Sequence, residues 1–541
     1  MTEQPSTSMT SENSRASRPS EDLYILSDLH LGEGRSLESR RYSRLESFFY
    51  DSEFAGFIDR VLVDSMAHRR RTRLILNGDV FDFLSLTRIP SEEEMERWGW
   101  KIDEDERKFG LNPTPSKSAW KVSMILQGHP TFFSALLRFI QAGHAVTITR
   151  GNHDPELFFP EVRERFHQDL AAIAKEAELS DLTEEQLREQ ITFEQWFYFE
   201  PGRIYVEHGN QYEPTNSFRF NLHPLLPDEH PEGAEPFLDY PTGSHFVRYM
   251  FNKMKLIDPF STFFITLDSY FTILRRASFL DIARTLTLHF PFFLRTIRDA
   301  RFFELHGMEE VTQTHDLEIT RLAREKSLPQ ETVQALDELM VEPLGKTKYS
   351  LLQEMFRPIV GTTLRILAIA LISLCAWFFL FTLIQSTGRI AEGIFVKASL
   401  LAILSVITVV GIFFVIMNVL RRVASSHNPW ADPLYRKAEQ ISELMDVPLV
   451  SMGHTHRTDL RPFRHRTGFF ANSGTWIVST GPWDVVRPKS QQFTFVRVQD
   501  MEMDILRWDH TTNRWEPVPL MEDYQPTAME RLIQEDDSGF Q

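Results

Sequence analysis

Residues 73–82 read RLILNGDVFD, an apolar run of strand length that is followed by a glycine and two aspartates. The same form occurs at residues 23–28 (LYILSD) and 145–154 (AVTITRGNHD), and helical patterns lie between these runs, around residues 43–67 and 117–142. Strands that alternate with helices predict an α/β layered domain, because the helices cover the faces of the sheet that the strands build. The predicted fold class is therefore α/β.

The chain has 541 residues, which is too long for one compact domain, and its pattern changes several times. Strand-like runs at 191–200 and 203–209 close a first α/β part, and a run at 448–453 opens a second part. The predicted organisation is a disordered tail (1–20), the first part of the α/β domain (21–209), a helical, aromatic-rich insertion (210–355), an apolar hairpin (360–422), the second part of the domain (432–520) and a polar tail (521–541).

Composition excludes several classes of protein. Hydrophobic residues make up 42% and charged residues 25%, which is typical of globular chains. A net charge of −17 disfavours binding to nucleic acid, because phosphate backbones are held by clustered cations. The single cysteine, Cys375, excludes a disulfide framework and a zinc site made of cysteines.

Two long apolar segments predict a membrane hairpin. Residues 366–384 and 398–417 each have the length needed to cross a hydrocarbon core, and neither segment contains a charged residue. The flanks carry more Lys and Arg than the linker, which has only Arg389 and Lys397. Because cations favour the cytoplasmic side, both flanks are predicted to be cytoplasmic. We expect a protein of the inner cell membrane with two spans and its main domain in the cytoplasm.

The insertion at 210–355 is rich in Phe and in basic residues and admits two interpretations. It can be a helical insertion that packs on the core of the domain. It can also be a surface that dips into the lipid interface, with aromatic side chains inserted and cations at the headgroups. The pattern alone does not separate these two.

Five short motifs place polar side chains after predicted strands, where an α/β sheet usually has its functional site. Each motif alone is compatible with a surface pair or a turn. Together they supply carboxylate, carboxamide and imidazole groups, which suit Mn²⁺, Fe²⁺ or Zn²⁺. Residues two apart on an extended strand point the same way, so Asp28 can converge with His30, and His454 with His456. The candidate ligands are Asp28, His30, Asp79, Asn152, His208, His454 and His456.

Seven ligands are too many for one ion but fit two ions that share a bridging carboxylate, an arrangement known for displacement at phosphorus. The ordered set D-x-H, G-D-x-x-D, G-N-H-D, H and G-H-x-H closely resembles the calcineurin-like metallophosphoesterase superfamily. The resemblance covers about residues 23–209 and 448–480. It implies a double β-sheet flanked by helices, with a two-metal site at the strand ends.

The resemblance also implies roles for single residues. Both metals would share Asp79, and Mn²⁺ is preferred, with Fe or Zn as alternatives. A metal-bridging hydroxide would attack phosphorus, while His153 would contact the phosphoryl oxygen and protonate the leaving group. Asp82 would orient His153 by a hydrogen bond. One metal would be held by Asp28, His30, Asp79 and His456, and the other by Asp79, Asn152, His208 and His454.

Within the superfamily, SDLHLG at 27–32 and GHTHR at 453–457 are similar to the branch of UDP-2,3-diacylglucosamine diphosphatases. The chain departs from that branch at His153, where the branch carries Arg, and the hairpin is not carried over from it. The predicted topology agrees with a shared site. Asp28 to His208 precede the hairpin and His454 and His456 follow it, so two spans return both groups to the same membrane face.

The predicted function is a membrane-anchored phosphoesterase that hydrolyses a phosphate ester or pyrophosphate of a lipid or nucleotide-lipid. A first alternative is the same chemistry on a soluble phosphoester, such as a nucleotide, a cyclic nucleotide or a phosphoprotein. A second alternative is a membrane scaffold whose metal site is structural. The sequence indicates the bilayer and a phosphoester as partners, and no particular oligomeric state.

Overall fold

The computed structural model describes residues 21–36, 39, 41–179, 182–226, 235–252, 308–343, 431–477 and 492–518, together with separate residues between 371 and 408. The predicted tails at 1–20 and 521–541 lie outside the described residues. The same is true of most of the predicted spans at 366–384 and 398–417 and of residues 253–307 within the predicted insertion.

The described chain alternates strands and helices. The strands are β1 (Asp22–Leu26), β2 (Thr72–Asn77), β3 (Ala145–Thr149), β4 (Ile191–Glu194), β5 (Phe197–Glu200), β6 (Ile204–Glu207), β7 (Leu449–Met452), β8 (Thr458–Pro462), β9 (Phe469–Ser473), β10 (Thr494–Gln499), β11 (Glu502–Asp509) and β12 (Arg514–Pro517). The helices are α1 (Asp51–His68), α2 (Glu92–Trp98), α3 (Glu104–Phe109), α4 (Pro115–Gly128), α5 (Pro130–Gln141), α6 (Pro160–Glu176), α7 (Glu184–Gln190), α8 (Thr242–Phe246), α9 (Met308–Lys326), α10 (Gln330–Glu338) and α11 (Ala431–Met445).

The strands form two mixed sheets. The first has the order β12-β11-β10-β1-β2-β3-β4, in which β1 to β4 run parallel and β10 to β12 pair antiparallel. The second has the order β5-β6-β7-β9-β8, in which β6, β7 and β9 run parallel. The predicted α/β fold class is confirmed. The two sheets combine strands from both ends of the described chain, because β10 pairs with β1 and β7 pairs with β6.

The strand-like run at 191–200 is two strands rather than one. β4 pairs with β3 in the first sheet, whereas β5 pairs with β6 in the second. The chain crosses between the sheets at Gln195 and Trp196, and the indole of Trp196 is buried and donates a hydrogen bond to Glu207 at 2.8 Å. The crossing contains no glycine or proline, so the sequence looks like one continuous strand.

Alternate side chains of each central strand belong to different layers of the core, because successive strand residues point to opposite faces. In β1, Leu23 and Ile25 join an apolar layer that also contains residues of β6, β7 and β9. Tyr24 and Leu26 instead pack with α1, α4, α5 and α6. The outer face of the second sheet packs against α9, α10 and α11. The order of layers is therefore helices, sheet, sheet, helices.

The described part of the predicted insertion contains α8 to α10 and two shorter helical turns. Helix α9 is tied to the first sheet by an ion pair of 2.6 Å between Lys326 and Glu194. In the described parts of the chain, no helix combines the length and the apolar character that a membrane span requires.

Candidate metal centre

The loops after five strands meet at one end of the two sheets. Asp28 follows β1 and Asp79 follows β2, while Asn152 and His153 follow β3. From the second sheet, His208 follows β6, and His454 and His456 follow β7. Parallel strands within each sheet end on the same side, so their loops converge. All seven predicted ligands are brought to this one region of the molecule.

The backbone reaches the centre through left-handed turns. The angle φ is 56° at Asp28, 52° at His30, 50° at Asp79, 66° at His454 and 56° at His456. The prediction that each pair converges because it lies on an extended strand is therefore wrong. β1 ends at residue 26 and β7 ends at residue 452, so both pairs lie in loops. Left-handed backbone is unfavourable for residues other than glycine and tends to persist where function requires it.

Two glycines allow these loops to approach closely. Gly78 has φ of 74°, and a Cβ atom at this position would collide with the ring of His208. A Cβ atom at Gly151 would collide with the Asp79 carboxylate and backbone. The glycines of both motifs are therefore required by packing around the candidate ligands.

The first cluster consists of Asp28, His30 and His456, whose ligand atoms lie within 4.8 Å of one another. His456 Nε2 is 3.2 Å from Asp28 Oδ1 and 3.2 Å from His30 Nε2. The other carboxylate oxygen of Asp28 is held by Ser27 Oγ at 2.5 Å and by the backbone N–H of His454 at 3.0 Å. Asp28 Oδ1 is thus the oxygen directed toward the histidines.

The second cluster consists of Asp79, His208 and His454. His208 Nε2 lies 3.2 Å from Asp79 Oδ2, and the same oxygen lies 3.9 Å from His30 Nε2 of the first cluster. Asp79 therefore stands between the two clusters. Its other oxygen accepts the backbone N–H of His153 at 2.8 Å, which fixes the carboxylate in this position.

Asn152 completes the predicted set. It is buried, and both of its neighbours in the chain contact Asp79. Gly151 packs on Asp79, and the backbone N–H of His153 donates a hydrogen bond to it. Among the described residues, no donor reaches Asn152 Oδ1, although this oxygen is buried. A buried acceptor without a donor is costly, and a cation is one partner that would satisfy it. The donor set of imidazole nitrogens, carboxylates and a carboxamide oxygen therefore fits a divalent metal ion.

His153 and Asp82 form a pair beside the first cluster. His153 Nδ1 lies 3.2 Å from Asp82 Oδ1, and its ring meets the ring of His30 edge to face, with centroids 4.6 Å apart. Asp82 is held in turn by the backbone N–H and the hydroxyl of Ser85. The predicted orienting contact between Asp82 and His153 is present in the structure.

Asp154 joins two of the loops. Its Oδ2 accepts the N–H groups of Val80 at 2.8 Å and Phe81 at 3.3 Å, and its Oδ1 accepts the N–H of Gly151 at 2.6 Å. Burial and the nearby Asp79 raise the pKa of Asp154 to about 7. Asp154 thus fastens the loop after β2 to the loop after β3.

Further residues at the centre were not singled out from the sequence. Glu213 Oε2 lies 2.6 Å from His454 Nε2, and Asn216 donates to the same carboxylate at 3.0 Å. Asn216 Oδ1 also accepts from Asn152 at 3.5 Å, so one chain of contacts joins His454 to Asn152. The sequence feature that could have indicated Glu213 and Asn216 is their position shortly after His208. That stretch was predicted as the start of an insertion.

The protonation of the centre reflects burial and mutual charge. Burial opposes ionisation of Asp79, but His208 and His153 outweigh it and hold the pKa of Asp79 well below its ordinary value. Burial lowers the pKa of His208, yet Asp79 and Asp28 raise it to about 10. Burial and the adjacent His153 lower the pKa of His30 to about 3. Asp79 is therefore ionised and His30 neutral at pH 7, the forms in which they bind metal, whereas His208 carries a proton that it must release to bind metal.

No protein-family model matches the chain, and no curated protein matches it. The geometry of the centre is thus the basis for assigning a function. Buried His and Asp groups that can hold a metal ion lie at the ends of strands from both sheets, and a paired His and Asp stand beside them.

Proposed function

We propose that the chain is a metal-dependent phosphoric ester hydrolase of the calcineurin-like metallophosphoesterase type, with a double β-sheet core and two divalent ions, Mn²⁺ by preference. The observation that carries the proposal is the position of Asp79 between two clusters. Its Oδ2 is 3.2 Å from His208 and 3.9 Å from His30, so one carboxylate serves both groups. Asp28 and His456 would complete one metal site, and Asn152 and His454 the other.

Two bound ions would supply an activated water and neutralise charge on the phosphoryl group. The chain's own residues account for orientation and proton transfer. Burial lowers the pKa of His153, but Asp79 and Asp82 raise it above its ordinary value, so His153 can carry a proton. Asp82 fixes the ring through Nδ1, and a protonated His153 would donate to the leaving oxygen of the ester.

We further propose that the enzyme acts on a lipid or nucleotide-lipid ester at the cytoplasmic face of the inner membrane. Support comes from the two apolar segments at 366–384 and 398–417 and from their cationic flanks. An anchored enzyme meets lipid-borne esters at a high local concentration. The position of the His153–Asp82 pair beside the metal clusters favours an enzyme over a scaffold with a structural metal site.

The test is hydrolysis of chromogenic phosphomonoesters and phosphodiesters by detergent-purified protein, before and after chelator treatment and after addition of Mn²⁺. We expect turnover that depends on Mn²⁺. His153→Ala should lower turnover by roughly 10²–10⁴ with its metal content unchanged, because it removes a general acid and no ligand.

His167→Ala is the matched control, since His167 is also buried but packs against Phe166 and Phe193. This variant should retain turnover. Full metal occupancy without turnover on chromogenic or vesicle-borne esters would contradict the enzyme proposal. Equal rates on soluble and vesicle-borne esters would contradict the lipid assignment alone.

A further inference from the structure

A cavity of about 290 Å³ has a cationic lining. Three of its lining residues are cations, Arg44, Lys108 and Arg248, and no carboxylate of a described residue lines it. Known ligand pockets span about 300–1,000 Å³. The cavity is therefore large enough for one polar group of a ligand rather than for a whole substrate.

The three cations differ in their surroundings. Arg248 is 4% exposed, and its guanidinium donates to Gly110 O at 2.6 Å and to Asn112 Oδ1 at 3.0 Å. Its Nε has no acceptor among the described residues. The side chains of Arg44 and Lys108 are exposed, and neither forms an ion pair with another described residue. Arg248 interacts electrostatically with the buried Glu156, but its Nε donor is unused by the described residues, and Arg binds phosphate through several donors at once.

The position of the cavity ties it to the metal centre. Thr87 lines it and follows Asp82 by five residues, which span at most about 18 Å when fully extended. Asn252 also lines it and donates to Leu84 O at 2.8 Å, two residues after Asp82. Ser43, a third lining residue, donates its N–H to Gly34 O at 2.9 Å in the loop that follows His30.

We propose that this cavity, here called the Arg248 pocket, binds a second anionic group of the substrate. The inference rests on the proposed function, since the first anionic group is the phosphoryl group at the metal centre. It narrows the substrate class to phosphate esters that carry a second phosphate, carboxylate or sulfonate group. A lipid headgroup and a free nucleotide share this chemistry.

The test uses two series of alkylphosphonates with two to eight carbons. One series ends in a sulfonate and the other ends in a hydroxyl group. Their Kd values are measured by calorimetry on the Mn²⁺-loaded full chain. At the best chain length we expect the sulfonate to bind roughly tenfold more tightly or better than the hydroxyl compound, because a hydrogen bond to a charged group stabilises a complex more than one to a neutral group.

The double variant Arg44→Gln, Lys108→Gln keeps Arg248 and should therefore reduce this difference, while its Kd for the hydroxyl compounds stays the same. Both side chains are exposed, so the fold should be retained. The control is Arg97→Gln, Lys175→Gln, which removes two exposed cations elsewhere and should keep the difference.

Equal affinity of the two series at every length, or an undiminished difference in the double variant, would overturn the pocket proposal alone. Failure of the hydroxyl compounds to bind Mn²⁺-loaded protein would overturn the proposed function and the pocket with it. A last experiment distinguishes a lipid headgroup from a free nucleotide as the source of the second anionic group. The sulfonate that binds most tightly is given a dodecyl chain and presented in phosphatidylcholine vesicles. Tighter binding indicates a lipid-borne substrate and equal binding a soluble one, and both results support the pocket.

Discussion

Asp79 has the largest number of roles among the single residues of the centre. It contacts His208 directly, lies 3.9 Å from His30, and accepts the N–H of His153. A single oxygen of Asp79, Oδ2, thus faces a histidine of each cluster. Its left-handed backbone, with φ of 50°, places the carboxylate between them.

Asp79→Ala should therefore lower metal content at both sites and abolish turnover, because the shared carboxylate is lost. Metal content is measured by atomic spectroscopy after dialysis against Mn²⁺. Asp59→Ala is the control, since Asp59 is an exposed carboxylate that pairs with Arg138. Retention of full metal content by Asp79→Ala would refute the shared-ligand assignment.

Glu213 is predicted to orient His454. The 2.6 Å contact to His454 Nε2 leaves Nδ1 as the nitrogen for metal binding, and carboxylates in this position raise the basicity of a ligand histidine. Glu213→Gln should weaken Mn²⁺ binding by roughly 10–100-fold, as measured by calorimetry.

Glu235→Gln is a suitable control for this experiment, because Glu235 bonds to Ser116 away from the centre. Unchanged Mn²⁺ affinity in Glu213→Gln would show that Glu213 has no part in holding the metal. A drop in melting temperature without a change in affinity would assign Glu213 a purely structural role.

The seven candidate ligands could be predicted from the sequence because each follows a recognisable strand. Their backbone conformation could not, because the left-handed turns at residues such as Asp28 and His456 depend on contacts between distant loops. Glu213 was missed for a similar reason. Its partner His454 is far away in sequence, and a carboxylate in an apparent insertion gives no local sign of such a contact.

Among the elements, the loop before α1 and the start of α5 are joined by a buried ionic group. Glu46 accepts the N–H of Gly32 at 3.1 Å and the N–H of Phe48 at 2.8 Å, and it faces His129 Nε2 at 3.5 Å. His129 Nδ1 lies 3.1 Å from Asp51, the first residue of α1. This group holds the loop that follows His30 against two helices.

His129 gives this junction a predicted pH dependence. Burial lowers the pKa of His129, but Asp51 and Glu46 raise it from 6.5 to about 9. Because the pKa is higher in the folded state, protonated His129 stabilises the fold fully below about pH 6.5. That contribution, of the order of 3 kcal/mol, is lost as the pH rises through 9.

Denaturant unfolding of wild type and His129→Gln at pH 6 and pH 10 tests this. The difference in the free energy of unfolding between the two proteins should shrink at the higher pH. A difference that is the same at both values would contradict the ionic role of His129. Phe139→Leu gives a comparison in which a buried ring is changed without a charge, and its effect should not depend on pH.

Element boundaries were predicted well where apolar runs end at a glycine, as at Asn77 and Met452, the last residues of β2 and β7. The prediction failed at residues 191–200, where β4 and β5 are adjacent in sequence but lie in different sheets. Local periodicity carries no information about which sheet a strand joins. That choice depends on the partners β3 and β6, which pair with them in opposite directions.

For the whole molecule, the centre joins the two sheets. Asp28, Asp79 and Asn152 belong to loops of the first sheet, whereas His208 and His454 belong to loops of the second. The sheets also share an apolar layer that includes Ile25 and Val206, and burial of such a side chain contributes about 1.5–3 kcal/mol. Metal binding should add to the free energy that holds the two sheets together.

Saturation with Mn²⁺ should therefore raise the thermal midpoint of unfolding, with a stabilisation of about 2.7 kcal/mol when free metal is a hundred times Kd. Differential scanning calorimetry of chelated and loaded protein measures it. The double variant His454→Ala, His456→Ala should melt at the same temperature with and without Mn²⁺. An equal rise in that variant would place the stabilising metal elsewhere.

The pairing of β1 with β10, and of β6 with β7, has a consequence for synthesis of the chain. A nascent chain on the ribosome has completed Asp28, Asp79 and His208 long before His454 is translated. Until then β1 lacks one neighbour and the centre lacks two imidazoles. A nascent chain would thus lack a complete centre until translation has passed His456 and β10 has paired with β1.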